Sequence, residues 1–393
     1  MTSDTWNTPQ RQDLRKLVTD FTTRSITPYL PDWERQEQLP RELHQQAAEL
    51  GLLGLGFPES LGGSGGDFLD VVVMTEAMLE AGASGGVISA LFTHGISLPH
   101  VIDEHDRREA AGDPEGARYL AETVIRPVLA GEMISSLAVT EPDGGSDVAR
   151  LRTSATRVDD GWRVNGAKTF ITSGVRADRV VTAVRTPEAG DGAAGITLML
   201  LDPQSPGYAT PRALEKMGWW CSDTAELSFT DVPVIDRDVL GLGEGFGSLA
   251  RHFVSERLSI AVTAYATAQR SLDLAVAWAR DRETFGRPLI TRQTIRHLLV
   301  DMYRRTDVAR TYTRSVAQRY AAGENLVVEA ALAKQTAVET AEFVVDRAVQ
   351  IHGGMGYMRE VEIERHYRDV RVLGIGGGAT EVMTDLAARL LGY

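Results

Sequence analysis

The sequence predicts an α+β protein with three parts: an N-terminal α-helical domain, a middle antiparallel β-barrel domain and a C-terminal four-helix bundle. Three observations predict this order. Helical patterns dominate residues 9–130, short β-rich runs fill residues 133–240, and long Ala/Leu/Val-rich segments follow from residue 247 onward. With 393 residues the chain is long enough for two or three packed domains. We place the domains at residues 1–132, 133–245 and 246–393.

The N-terminal part contains clear helix signals. Residues 40–53 carry apolar side chains at helical spacing. Asp67 precedes an apolar run at 68–79 and is expected to be its N-cap. Residues 103–116 are highly charged and contain Gly112, Asp113 and Pro114, so we expect a solvated loop there.

The middle part changes to strand patterns. Gly, Pro and Asp separate the β-rich runs at 162–164, 179–185, 195–202 and 225–229. The pair Asn165-Gly166 can adopt positive φ at both residues, which predicts a hairpin turn.

Three long helices are predicted in the C-terminal part, at residues 249–280, 291–322 and 327–351. Gly353-Gly354 is expected to end the third, and a final helix is expected to begin near Thr380. Helices of this length with short connections favour a four-helix bundle.

Composition narrows the function. A net charge of −13 disfavours nucleic acid as a partner, because no basic surplus can neutralise phosphates. Cys221 is the single cysteine, which excludes an internal disulfide and a cysteine-cluster metal site, and the eight histidines are not at ligand spacing, so no metal is expected. Residues 1–15 lack a secretory signal, and we find no apolar run long enough to span a bilayer. A cytoplasmic protein is the simplest expectation.

Two segments carry the most specific information. Residues 137–147 (LAVTEPDGGSD) and 162–174 (WRVNGAKTFITSG) each join a strand-like run to a loop of small and polar residues, so two loops could meet one ligand. Both segments resemble the signature of the acyl-CoA dehydrogenase family of flavoproteins. Further segments look like family motifs in the same order: EKMGW at 215–219, RETFGRP at 282–288, QIHGGMGY at 350–357 and RHYRDVR at 365–371.

This resemblance covers almost the whole chain and implies its chemistry. It implies FAD as cofactor, an acyl-CoA substrate of fatty-acid β-oxidation, electron-transfer flavoprotein as electron acceptor, and a homotetramer built as a dimer of dimers. The reaction implied is α,β-dehydrogenation to a trans-2-enoyl-CoA, in which a base removes the α-proton and hydride leaves the β-carbon for flavin N5.

The resemblance leaves two places for the base. Many family members carry a glutamate in the loop before the last helix, and the matching residue here is Gly377, which would instead line the substrate site. Isovaleryl- and long-chain-type members carry the base on a bundle helix in a Glu-Arg-Leu sequence, which Glu256 matches. We therefore predict Glu256 as the base. Glu381 is a weaker competitor that would instead cap a helix or line the adenine end.

The remaining site residues are also implied by the resemblance. Arg257 and Ser146 would contact the substrate, and Val254 stands where the family often has an acidic residue. Val139, Thr140, Phe170 and Thr172 would bind the flavin ring. The diphosphate and adenine would meet Arg282, Phe285, Gln350 and Gly354, with Arg282 and Phe285 reaching the FAD of a neighbouring subunit.

Rival hypotheses remain open at this point. The same fold could dehydrogenate an acyl thioester on a carrier protein, or act as a flavin monooxygenase, although the latter does not need an α-proton base. A non-catalytic relative that binds CoA or flavin is a third possibility, disfavoured by the presence of Glu256.

Overall fold

Eight α-helices form the N-terminal part of the computed structural model, which describes residues 5–393; the first four residues of segment 1–15, in which the sequence predicts no secretory signal, lie outside it. The helices are α1 Pro9–Ser25, α2 Leu30–Gln36, α3 Arg41–Glu49, α4 Phe68–Glu80, α5 Gly85–Leu91, α6 His94–Ala110, α7 Pro114–Leu120 and α8 Arg126–Leu129. A π-helical turn, Ala121–Ile125, joins the last two. The predicted N-cap is confirmed. The Asp67 carboxylate accepts hydrogen bonds from the N–H groups of Leu69 and Asp70, and the Asp67 N–H donates to the Asp70 carboxylate.

The charged segment 103–116 is not a loop, and this prediction was wrong. Its first half is the end of α6, and its last residues begin α7. Two of its charged residues, Glu104 and Arg108, are buried, and the carboxylate of Glu104 accepts hydrogen bonds from Arg107 and Arg108. Arg108 also donates to the carbonyls of Arg237 and Val239. A charged helix therefore docks the N-terminal part on the middle domain.

One stretch of the described chain, Gly85–Ala110, is long and apolar enough to cross a membrane by length and composition, but 61% of its most apolar window is buried inside the protein. It consists of two helices, α5 and α6, and its polar residues His100 and Glu104 are buried among protein groups. This is the pattern of core helices.

An eight-stranded sheet forms the middle part, in the order β6-β7-β3-β2-β4-β5-β8, with β1 also paired to β4. The strands are β1 Ser135–Ala138, β2 Ser154–Val158, β3 Gly161–Thr172, β4 Arg179–Arg185, β5 Ile196–Leu201, β6 Tyr208–Ala213, β7 Thr224–Val234 and β8 Val239–Leu240. Most neighbours are antiparallel, as predicted, but β4 pairs in parallel with both β1 and β2. That parallel pairing places the end of β1 beside the centre of the sheet.

Asn165-Gly166 is not the hairpin turn that we predicted. Strand β3 runs straight through it, and the β2–β3 hairpin turns two residues before β3 begins. The pair is instead an irregularity in the register with β7, where Asn165 exchanges two hydrogen bonds with Asp231. Gly166 has a φ of +143°, and a β-carbon there would lie 2.7 Å from Thr153. A glycine is thus needed for close strand contact and not for a turn.

The C-terminal helices are α9 Gly245–Asp281, α10 Gln293–Ala321, α11 Val327–His352, α12 Glu362–Val370 and α13 Thr380–Leu391. The three long helices predicted here and the final helix beginning at Thr380 are confirmed. Gly353, with a φ of +62°, ends α11 as expected. A short hairpin, β9 Glu283–Thr284 with β10 Arg287–Pro288, connects α9 to α10. The core of this bundle continues into α4 through Leu69, Val72 and Leu79, so the helical parts share one apolar interior.

Candidate active site

Glu256 lies on α9, in the part of the helix that packs against the bundle. Its neighbours Val254 and Leu258 belong to the apolar core, whereas Glu256 itself keeps partial exposure. Burial raises the pKa of the Glu256 carboxyl above its usual value, and the positive charges of Arg257 and Lys334 oppose that rise. A carboxylate that is partly desolvated yet flanked by cations is suited to accept a proton at neutral pH.

Gly377 meets Glu256 across the bundle. It lies in the loop before α13 with a φ of +62°, and a β-carbon built on it would lie 2.3 Å from Ile260 Cδ1 and 3.3 Å from Glu256 Oε1. The two places that the sequence offers for a base therefore converge on one point in space. The side chains of α9 already occupy the room that a residue at position 377 would need.

Arg257 is buried next to Glu256 in the chain but forms no ion pair with it. Its guanidinium carbon lies 5.6 Å from the ring centre of Phe253, and its Nε is buried without a hydrogen-bond partner among residues 5–393. Burial lowers the pKa of Arg257, while the charge of Glu256 raises it. An unpaired buried guanidinium N–H is costly, so this donor fits a polar ligand group.

Val139 and Thr140 follow the end of β1 and are tied to β3. The carbonyl of Val139 accepts a hydrogen bond of 3.0 Å from Lys168 Nζ, and the carbonyl of Thr140 accepts one of 2.9 Å from the Thr169 N–H. Lys168 is fully buried and also donates to Glu141 Oε1 at 2.9 Å. Breaking such a buried pair costs about 3–5 kcal/mol, so the loop is held firmly in place.

Phe170 and Thr172 lie on the same part of β3. Phe170 has a φ of +60° and leaves 69% of its surface exposed, which is unusual for a large aromatic residue in a strand. The backbone carbonyl of Thr172 accepts a hydrogen bond from Ser136, whereas in the described chain the hydroxyls of Thr140 and Thr172 have no partner. An open aromatic face beside free hydroxyls fits a planar heterocycle with polar edges, as the flavin ring is.

Ser146 lies on the loop between β1 and β2. It is exposed, and the neighbouring Asp147 pairs with Arg150 at 3.3 Å. The loop places Ser146 on the surface of the middle domain, where it can meet an incoming ligand. The carboxylate of Glu141 holds this loop in place, because it accepts hydrogen bonds from the N–H groups of Arg152 and Thr153.

A second group of predicted site residues, those expected at the FAD diphosphate and adenine, lies away from Glu256. Arg282 caps the end of α9, and Gln350 and Gly354 lie at the end of α11. Stacking of Trp278 on His352, with ring centres 5.0 Å apart, brings these two helix ends together. No heavy atom lies within 4 Å of a β-carbon built on Gly354, so the surface there is open.

Phe285 projects from the β9–β10 hairpin with 98% of its surface exposed and a φ of +51°. Its contact within the chain is Arg292, whose guanidinium carbon lies 5.6 Å from the ring centre. Because α9 is continuous, the 26 residues from Glu256 to Arg282 span about 39 Å. The structure therefore does not bring Arg282 and Phe285 to the same site as Glu256 within one chain.

Glu381 occupies the first turn of α13 and is exposed. A carboxylate at that position favours the helix N-terminus electrostatically. It is four residues beyond Gly377, and within the described residues no hydrogen bond links it to Glu256 or Arg257.

Sequence reasoning did not single out Lys168 or Lys334. Both are fully or nearly fully buried, and both bind backbone carbonyls of loops that carry candidate site residues. The clue for Lys168 was its place in a β-rich run between Ala167 and Thr169. For residues 5–393, no group of three or more His, Cys, Asp or Glu side chains is arranged to hold a metal ion.

Comparison with known proteins identifies the fold. Three family models match in order: acyl-CoA dehydrogenase N-terminal domain at residues 8–105, middle domain at 136–232 and C-terminal domain at 243–392. The chain belongs to the acyl-CoA dehydrogenase family. Its members are FAD-dependent oxidoreductases acting on CH–CH groups, as the resemblance implied.

Individual relatives cover nearly the whole chain. A crystal structure of a putative acyl-CoA dehydrogenase from Mycobacterium smegmatis has 54% identity and a TM-score of 0.94, over 98% of this chain and 99% of that one. The mitochondrial long-chain specific acyl-CoA dehydrogenase of Rattus norvegicus is 34% identical over 95% of this chain and 85% of its own length.

A third relative has a different reaction in its name. Subunit CarC of the caffeyl-CoA reductase-Etf complex of Acetobacterium woodii is 31% identical over 97% of this chain and 98% of its own length. The family thus includes both dehydrogenases and reductases of CoA thioesters.

Proposed function

We propose that this acyl-CoA dehydrogenase oxidises the α,β-bond of an acyl-CoA thioester to the trans-2-enoyl-CoA, with Glu256 as the base that removes the α-proton. The observation that supports this most is the environment of Glu256: a partly exposed carboxyl, desolvated on one side and facing two cations. Desolvation strengthens it as a base, and the cations keep it ionised.

FAD, when bound, supplies the redox chemistry by taking up the hydride equivalent from the β-carbon, and the protein supplies placement. The residues that would hold its ring are Val139, Thr140, Phe170 and Thr172, which fit a planar ring with hydrogen-bonding edges. Arg257 and Ser146 would bind the substrate, with Gly377 lining the site opposite the base.

The distant group would serve the cofactor of another copy. Arg282 and Phe285 are exposed and lie about 39 Å along α9 from Glu256, which suits residues that reach across an interface to the diphosphate and adenine. Gln350, Gly354 and, at the start of α13, Glu381 would contribute to the same cofactor end. We propose a homotetramer formed from two dimers, as the family resemblance implies; the exposed Phe285 supports a contact between copies.

The electron acceptor, the substrate class and the cellular context of the enzyme are proposals. Because the CarC relative functions in a complex with Etf, we propose electron-transfer flavoprotein as the electron acceptor. A helix-borne base goes with branched short-chain or longer acyl groups in this family, and the rat relative is long-chain specific. We propose fatty-acid β-oxidation in the cytoplasm as the context, and domains at residues 1–132, 133–245 and 246–393.

A carrier-protein thioester is the second candidate for the substrate. From the sequence, Val254 leaves this alternative open, because it stands where the family often has an acidic residue. In the structure Val254 is buried in an apolar cluster that also contains Leu258 and Ala261. Flavin monooxygenation, which does not need an α-proton base, would leave Glu256 without a role.

Anaerobic titration of the purified protein with a panel of acyl-CoAs and enoyl-CoAs tests the proposal. We expect one class of saturated acyl-CoA to bleach the oxidised flavin band. A yellow protein that is bleached by none of them would contradict the proposal and favour a carrier-bound substrate or oxygen chemistry. A colourless protein that does not take up added FAD would favour a non-catalytic relative. Turnover of an enoyl-CoA with an added electron donor, in a protein that no saturated acyl-CoA bleaches, would favour a reductase.

A further inference from the structure

Lys334 on α11 is a buried cation that lacks a carboxylate partner. Only 2% of its surface is exposed, and its Nζ donates to the carbonyl of Gly376 at 2.6 Å and to that of Gly378 at 2.5 Å. No acidic side chain of residues 5–393 lies within salt-bridge distance of it. A buried ammonium is expensive, so its retention calls for a reason beyond packing.

The two carbonyls that Lys334 binds flank Gly377. The ammonium therefore binds the loop on both sides of Gly377, which lies against Glu256. Gly377 and Gly378 have positive φ, +62° and +97°, which glycine adopts without strain. As glycines they have no side chains that could hold the loop in place. Lys334 holds it from α11 through the two carbonyls.

We propose that Lys334 is a positioning residue for the base: it fixes the Gly376–Gly378 backbone against Glu256 and places a positive charge that keeps the Glu256 carboxylate ionised. This inference rests on the proposed function, because it assumes that Glu256 accepts the α-proton. It assigns to Lys334 a role that neither helix pattern nor packing requires.

The electrostatics agree with this geometry. Burial lowers the pKa of Lys334 to about 8, and the negative charge of Glu256 opposes that fall. In return, Lys334 and Arg257 oppose the rise that burial causes in the pKa of Glu256. These are the charged groups that face the base: Arg257 from α9 itself and Lys334 from α11, while the loop before α13 presents only backbone and Glu381 is exposed on the first turn of that helix.

Two substitutions separate the charge from the anchor. Lys334→Met removes both the charge and the hydrogen bonds, whereas Lys334→Gln removes the charge and keeps a donor for the loop carbonyls. Arg371→Met is the matched control: Arg371 approaches the same loop at Gly374, but it pairs with Glu342 at 2.8 Å and is exposed.

The measurement is the rate of flavin reduction per bound FAD, followed anaerobically by stopped flow with a saturating acyl-CoA from acid to alkaline pH. Without the cation the Glu256 carboxylate binds its proton more tightly, so less of it is ionised at a given pH. We expect Lys334→Gln to lower the rate on the acidic limb by about tenfold and to approach the wild-type rate at alkaline pH. In Lys334→Met the acidic limb of the pH–rate profile should shift by the same amount, and the maximal rate at alkaline pH should also be lower. Arg371→Met should have the wild-type profile.

A purely structural role would lower the rate equally at every pH. An acidic limb of Lys334→Gln that overlays the wild type would therefore overturn the inference, as would loss of FAD from both Lys334 variants while Arg371→Met retains it. Glu256→Gln is measured in parallel. If that variant reduces its flavin at the wild-type rate, the proposed function itself fails. If it is inactive while the Lys334 profiles are unshifted, only the role of Lys334 fails.

Discussion

The carboxylate of Glu256 and the α-carbon of Gly377 face each other across the bundle, and a β-carbon on Gly377 would lie 3.3 Å from Glu256 Oε1. The same β-carbon would lie 2.3 Å from Ile260 Cδ1, closer than any packed atoms can be. The side chains of Ile260 and Glu256 therefore leave no room for a side chain at position 377, and Ile260 is the closer of the two.

Gly377→Ala tests this relationship. The added methyl group must displace Ile260, and alanine must adopt a φ of +62°, so we expect a loss of about 1–3 kcal/mol in the free energy of unfolding. We also expect slower flavin reduction, because the displaced side chains border the base. Gly376→Ala is the control, since its β-carbon would meet only Val372 O, at 3.6 Å, with an ordinary φ. Equal stability and equal rates in the two variants would show that the space at position 377 is not restricted.

Asp369 should make stability depend on pH. It is buried, one oxygen accepts the Trp219 N–H at 2.6 Å, and the other has no partner in the described chain. Burial, followed by the nearby charge of Glu34, raises the pKa of Asp369 to about 7 from an ordinary 3.8. Between these pH values the folded protein holds a proton that the unfolded chain releases, so this contribution to stability is lost as pH rises towards 7.

Asp369→Asn removes that titration and keeps an oxygen for the Trp219 N–H. We expect the variant to gain stability relative to the wild type as pH rises from 4 to 7, by about 1 kcal/mol per pH unit, in urea unfolding of the FAD-loaded protein. Asp20→Asn, on the exposed face of α1, should run parallel to the wild type. Parallel curves for Asp369→Asn as well would mean that Asp369 is ionised throughout.

Phe285→Ala tests the shared cofactor. Phe285 is 98% exposed in the single chain, so its removal should leave the free energy of unfolding within about 0.5 kcal/mol. If a neighbouring copy uses it, the variant should have a lower ratio of FAD to protein and should dissociate at higher protein concentration than the wild type. Light scattering and flavin absorbance measure both. Ile235→Ala, another exposed apolar residue, is the control, and identical behaviour of the two variants would count against a cofactor shared across an interface.

Local signals in the sequence predicted local structure well. Asp67 caps α4 and Gly353 ends α11 because each effect depends on a few neighbouring residues. Glu256 and Gly377 could be paired in advance only through the family resemblance, since 121 positions separate them along the chain. Their contact is a property of the bundle.

The features that sequence reasoning missed depend on distant partners. Lys334 follows an alanine-rich pattern, and its burial is determined by carbonyls 42 and 44 residues later. Arg108 belongs to a segment whose composition predicts a solvated loop, yet it donates hydrogen bonds to the carbonyls of Arg237 and Val239, about 130 residues away. Charged residues are predicted to face solvent unless the groups that neutralise them are known, and sequence spacing does not reveal those groups.

Glu256 is the proposed base, and Glu381 is its direct competitor on the chain. The decisive measurement is single-turnover flavin reduction by an acyl-CoA, per bound FAD, in Glu256→Gln and Glu381→Gln side by side. Both substitutions keep size and polarity, and each removes one carboxylate. We expect Glu256→Gln to bind FAD and to lose about 10²–10⁴-fold in rate, as removal of a positioned base does, while Glu381→Gln stays within tenfold of the wild type. Near-normal reduction in Glu256→Gln, or the larger loss in Glu381→Gln, would contradict the account.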